Sequence, residues 1–183
     1  MRRKQNSGFI ETIYGPMYSG KSNELVSRIK AYGYAGEKYI AFSPDIDTRN
    51  KKNIIISRTG IQNLATKINS KFPEDIFKYI SKDIKAVGID EAQFFNISLI
   101  DVVDKLANLG IDVYVAGLNL DFAKRPFETI MKLLPISEFV TSKMAVCFDC
   151  GSNAYFSSRI NSSPSDNAVL IGTNQYKAHC RKC

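Results

Sequence analysis

The chain predicts an α/β fold: a parallel-sheet, phosphate-binding domain over residues 1–143, followed by a small cysteine-bearing domain over 144–183. Three observations carry this. Runs rich in β-branched and aromatic residues alternate with stretches of helical apolar spacing. The sequence GPMYSGKS at 15–22 matches GxxxxGK[ST] and lies between the first such run and the first such helix. After Lys143 this texture gives way to turn residues, among them NSSPSDN at 161–167, and to two CxxC pairs.

FIETIY (9–14) reads as a strand running straight into Gly15. NELVSRIKAY follows Ser22 with Leu25, Ile29 and Tyr32 at helical spacing, and Gly33 is expected to stop that helix. KYIAF (38–42), AVGID (86–90) and DVYVAG (112–117) read as further strands, and SLIDVVDKLANLG (98–110) as an amphipathic helix closed by Gly110. Between 43 and 70 the periodicity fades into polar, turn-rich sequence around a short Ile run, which reads as a long flexible or functional loop. There is no internal repeat.

With 183 residues, 44% of them hydrophobic and 23% charged, the chain can bury a self-sufficient core without disulfides. No apolar run approaches the ~20 residues of a membrane span. The basic start MRRKQNSG leads only into FIETIY, broken by Glu11, rather than into a signal-peptide core. The expected location is therefore the cytoplasm, with no membrane partner. The net charge of +7 attracts anions in general and does not choose among nucleotides, nucleic acid and acidic surfaces.

In a phosphate-binding loop, successive backbone N–H groups point at the phosphates and the following helix adds its positive end. Gly15, Gly20, Lys21 and Ser22 occupy the fixed positions, with Pro16, Met17, Tyr18 and Ser19 filling the turn. Lys21 is placed to neutralise β/γ oxygens and Ser22 to offer its hydroxyl to Mg²⁺, so the expected donor is a magnesium-bound nucleoside triphosphate, most simply ATP. In AVGIDEAQFF an apolar strand ends in Asp90 and Glu91. Asp90 is placed like the acidic residue that holds the metal's water shell. Glu91 projects elsewhere, where it either takes a proton from an acceptor hydroxyl or orients a water. Ordinary strand-end carboxylates are the plainer alternative.

Cys147 and Cys150, then Cys180 and Cys183, form two CxxC pairs separated by 29 residues, the pattern of a closed, structural Cys₄ zinc site. His179, the one histidine, is expected to be a surface residue. Ser-His and Cys-His catalysis is excluded unless His179 serves. Phosphoryl transfer needs no histidine. A nucleic-acid-binding ATPase, its Cys₄ module gripping a strand and Glu91 activating water, is the competing reading of the same residues.

Taken in order, GPMYSGKS, DTR (47–49), DEAQFF, GLNLDF…PF (117–127), CxxC and the closing Y…CRKC resemble the zinc-containing thymidine kinases of the cytosolic and bacterial type (type II) over nearly the whole chain. The resemblance implies a RecA-like α/β domain and a zinc domain whose lasso, residues 150–180 here, closes over the nucleoside. It implies transfer of the γ-phosphate of ATP to the 5′-hydroxyl of thymidine or deoxyuridine, a homotetramer, and no nucleic-acid partner. Glu91 matches the family's catalytic base, and Asp90 and Gln93 its nucleotide- and metal-contacting stretch. Phe94 and Phe122 match aromatic residues on the base; Met17, Leu118, Ser157 and Tyr176 match positions around the thymine ring and methyl. Backbone groups of Val169, Leu170 and Ile171 are placed to bond the pyrimidine edge. Asp47, Thr48 and Arg49 match a segment reaching the phosphates, with Arg49 either steadying the transferred group or standing exposed in a polar loop. Asn119 stands where Asp is usual, Arg58 where His is frequent, and Ser157 where Thr is more usual, which leaves the preference between thymidine and deoxyuridine open.

Overall fold

The computed structural model describes residues 7–47, 54–56, 62–160 and 176–183. The first apolar run forms strand β1, Ile10–Tyr14, and helix α1, Lys21–Tyr34, follows the glycine-rich turn at once. Gly33 does not stop that helix. It lies inside the last turn, where an added Cβ would come within 2.9 Å of the Tyr39 ring, so its role is to make room. The stop is Gly36, in the left-handed region at φ 77°. Its N–H donates to the Gly33 carbonyl (3.1 Å) and the Glu37 N–H to the Tyr32 carbonyl (2.9 Å), the paired bonds that satisfy the last carbonyls of a helix.

Strands β2 (Lys38–Pro44), β6 (Ile84–Ile89), β7 (Asp112–Gly117) and β8 (Phe139–Ser142) form where the sequence is richest in branched and aromatic residues. The described residues of 43–70, a segment expected to be a loop, hold more regular structure than its polarity suggests. Its described residues supply an antiparallel pair, β3 (Ile54–Ile56) with β4 (Gln62–Leu64), and the edge strand β5 (Thr66–Ile68). Strands of three residues are too short to display a readable alternation. The central sheet has the order β5-β2-β6-β7-β1-β8, parallel throughout, as the α/β expectation required.

Alternation along these strands divides the side chains between two faces. Toward α1 the sheet presents Ile13, Ala41, Ala86, Tyr114 and Ala116, packed on Leu25, Val26 and Ile29. The opposite face presents Ile10, Phe42, Val87, Ile89, Val113 and Val115 to helices α2 (Leu99–Asn108) and α3 (Glu128–Leu133). Helix α2 buries Leu99, Val102, Val103, Leu106 and Ala107, an i, i+3, i+4, i+7, i+8 stripe. Full burial of one such aliphatic side chain contributes about 1.5–3 kcal/mol. Among the described residues no helix is long and apolar enough to cross a membrane.

After β8 the chain forms two further antiparallel pairs, β9 (Ala145–Val146) with β10 (Asn153–Ala154), and β11 (Phe156–Arg159) with β12 (Tyr176–His179). Ala145, Cys147, Ala154 and Ala178 give this part its own small buried cluster. Within the sheet, Tyr14 is level with Gly117 and Ile89 with Val115, so the connections after β1, β6 and β7 leave the same carboxyl edge.

Substituting Gly36 by Ala forces a Cβ into the left-handed region, which costs about 1–2 kcal/mol. The expected result is a fall in Tm of at least about 2 °C on thermal unfolding; an unchanged Tm contradicts this account of how α1 ends.

Candidate active site

The turn 15–22 is shaped from within and from the C-terminal third of the chain. Ser19 Oγ donates to the Pro16 carbonyl (2.8 Å), and Lys21 Nζ donates to the same carbonyl (2.7 Å) and lies 3.4 Å from Ser19 Oγ. These bonds hold the lysine over the turn. Gly15 must be glycine because a Cβ there would stand 2.2 Å from the Lys143 carbonyl oxygen. Gly20, left-handed at φ 79°, turns the chain into α1, which begins at Lys21. The Met17 N–H donates to Ser157 Oγ (2.8 Å), and the Tyr18 hydroxyl donates to the Tyr176 carbonyl (2.8 Å).

Lys143 also donates its N–H to the Tyr14 carbonyl (2.8 Å) and its ammonium to Glu24 in the first turn of α1 (3.1 Å). Glu24 pairs with Arg28, and Arg28 lies 3.5 Å from buried Glu11, which accepts from Thr141 Oγ1. Sequence reasoning did not find Lys143, because its contacts join positions about 120 residues apart and no motif marks it.

Two strands away from β1, at the end of β6, stands the acidic pair. With strands about 4.8 Å apart it emerges roughly 10 Å from the glycine-rich turn along the same edge. Asp90 is buried, and its N–H donates to the Phe42 carbonyl (3.0 Å). Glu91 adopts left-handed backbone, φ 53° and ψ 40°, which costs a non-glycine residue about 1–2 kcal/mol and turns the chain sharply after β6. Such strain, held in place by surrounding bonds, is a pointer to function. The Glu91 N–H donates to Asp90 Oδ1 (3.0 Å), Gln93 Nε2 donates to Glu91 Oε2 (2.6 Å), and Gln93 Oε1 accepts from the Leu118 N–H (2.9 Å). Gln93 therefore fixes the Glu91 carboxylate against the end of β7, a bridging role that its place in the motif does not reveal.

Around this edge, Phe94 closes the 3₁₀ turn Ala92–Phe94 and Phe122 lies half-buried with the Arg159 guanidinium 5.5 Å from its ring centroid. Asp121 braces the loop that carries Phe122: Oδ1 accepts from the N–H groups of Ala123 and Arg125, and Oδ2 from Arg125 Nε. An aspartate opening a turn is the signal that could have found it. Asn119 Oδ1 is buried without a hydrogen-bond partner among the described residues. Asp47, just past β2, is buried, its carbonyl accepting from Lys67 Nζ (2.8 Å). Thr48, Arg49, Val169, Leu170 and Ile171 lie outside the described residues, as does Arg58.

The sulfurs of Cys147, Cys150, Cys180 and Cys183 all lie within 4.8 Å of one another. Cys150 and Cys180 are 3.7 Å apart, against about 3.8 Å between sulfurs of a tetrahedral zinc with 2.3 Å bonds. Burial opposes ionisation of Cys147, but N–H groups of Cys180, Cys150 and Asp149 outweigh it and hold the thiol below its ordinary value. Bonds from Ser152 lower Cys150, and the Cys183 N–H lowers Cys180. Cys183 is pushed well above the ordinary range by Cys150 and Cys180, the last proton of four crowded thiols. A soft divalent cation fits this donor set. His179 is half-buried rather than a free surface residue: its Nε2 stands 3.4 Å from Asp149.

A sequence model of the thymidine kinase family matches residues 8–183. The chain is 43% identical to a thymidine kinase of Mycoplasma mobile over 183 residues, covering 100% of this chain and 90% of that protein. It is also 43% identical to a thymidine kinase of Mycoplasmoides gallisepticum over 181 residues, covering 96% of this chain and 80% of that protein.

Metal analysis is expected to give about one zinc per chain, and chelation to speed hydrogen exchange in the described parts of 144–183 before the six-stranded sheet. No bound zinc, with four thiols reacting freely, contradicts the assignment of these sulfurs.

Proposed function

The chain belongs to the thymidine kinase family and phosphorylates thymidine in deoxynucleotide salvage, and from that premise we propose how its residues divide the work. The turn Gly15, Pro16, Met17, Tyr18, Ser19, Gly20, Lys21, Ser22 holds the phosphates of ATP, with Asp47, Thr48, Arg49, Asp90 and Gln93 as further contacts. Lys21 answers charge on the β/γ oxygens. The Ser22 hydroxyl and the Asp90 carboxylate are hard oxygen donors suited to magnesium. A bound magnesium ion supplies neutralisation of the charge that spreads over the transferred group.

Glu91 accepts the proton of the 5′-hydroxyl as that oxygen attacks in line. Gln93 keeps the carboxylate aimed while the strained backbone keeps it at the mouth of the sheet. Because the transition state of such transfers is loose, positioning carries much of the effect. The nucleoside lies against Met17, Phe94, Leu118, Phe122, Ser157 and Tyr176, with backbone of 169–171 along its pyrimidine edge. The aromatic rings supply stacking and the strand groups supply direction. On this reading residues 144–183 form a domain strapped by a structural zinc over the nucleoside, and the enzyme works as a cytoplasmic homotetramer.

The observation that supports the reading most is the shared edge. The lysine-bearing turn, the acidic pair bound to Gln93, and Leu118 all leave the sheet at one level. Glu91→Gln is expected to keep ATP binding and lose about 10²–10⁴-fold in kcat with thymidine. Near wild-type turnover refutes the base assignment, and ADP release stimulated by DNA or RNA without nucleoside overturns the proposed division of labour.

A further inference from the structure

Tyr18 is one of three described non-glycine residues with positive φ, at 68°. Left-handed backbone strains such a residue, where glycine or asparagine is tolerated more easily. Burial does not explain why a tyrosine occupies the position, since Tyr18 is 43% exposed. Its hydroxyl does: it donates to the Tyr176 carbonyl at 2.8 Å, across 158 positions of sequence.

Tyr176 opens β12, which pairs with β11 in the register Arg159↔Tyr176 and Ser157↔Ala178, and β12 runs directly into Cys180 of the sulfur cluster. The residue before Tyr18 is tied to the other strand of that pair, Met17 N–H to Ser157 Oγ. Consecutive residues of the phosphate turn are thus fastened to both strands of one hairpin. One strand of that pair, β12, leads straight into the cysteine cluster.

We propose that Tyr18 is a positioning residue that mechanically joins the ATP-binding turn to the nucleoside-binding hairpin, so that each site holds its shape only while the other element is in place. The inference rests on the reading given under Proposed function, in which 15–22 hold ATP and Ser157 and Tyr176 border the nucleoside. The ring of Tyr18 spans the gap and its hydroxyl makes the tie.

Tyr18→Phe keeps the ring and the backbone strain and deletes only the hydroxyl. In it, KM for ATP and KM for thymidine are both expected to rise together, by about three- to tenfold each. Amide exchange is expected to quicken in 15–22 and in 176–179 together, a readout that does not depend on turnover. A rise in only one KM, unchanged KM values, or exchange that quickens in only one of the two segments overturns the inference. The wild-type titrations run alongside separate the two levels: failure of wild type to bind ATP or thymidine sinks the site reading itself, whereas sound wild-type binding with an indifferent Tyr18→Phe sinks only the tie.

Discussion

Six parallel strands in one sheet all release their chains at one edge, and that geometric fact governs everything else in this molecule. The connections after β1, β6 and β7 have no choice of side, so the glycine-rich turn, a pair of carboxylates and the Leu118 amide emerge together although more than 100 residues separate the first from the last. What the individual residues add is fine aim. Gln93 bonds Glu91 with one end of its amide and Leu118 with the other, converting proximity along the edge into a fixed carboxylate. The left-handed backbone at Glu91 is the local concession that makes this turn possible.

The sheet's two faces explain how the edge is kept rigid. Ile13, Ala41, Ala86, Tyr114 and Ala116 face α1, and Leu25, Val26 and Ile29 pack on them just behind the glycine-rich turn. Bulkier residues on the other face meet α2 and α3. A line of charges, Glu11 to Arg28 to Glu24 to Lys143, then runs along α1 and ends where the Lys143 carbonyl presses on Gly15. Each exposed pair contributes little to stability by itself. As a line they set where the C-terminal part of the chain begins.

Sequence made the main architecture legible wherever a pattern is long or chemically constrained. The strand, glycine-rich turn and helix from 9 to 34 could be read because glycine, lysine and serine at fixed offsets have few other uses, and the α2 stripe because five buried positions repeat at helical spacing. The four cysteines could be read as a cluster because reduced thiols at that spacing favour a metal. Gly33 misled because a glycine near a helix end suggests a stop, whereas here the Tyr39 ring claims the space and Gly36 carries the turn. The strands within 43–70 were hidden by their brevity. Lys143, Gln93 as a bridge and the Tyr18 hydroxyl were hidden for another reason: their partners are brought near only by the completed fold.

The conformation of Glu91 has an evolutionary consequence. A residue held in left-handed backbone is one at which glycine relieves strain, so a library of variants screened for heat resistance alone will enrich the loss of this very carboxylate. If Glu91 is the base proposed above, sturdier descendants of this chain selected without an activity gate should lose turnover at the tip of β6, with Tyr18 and Lys124 the other described non-glycine positions open to the same relief.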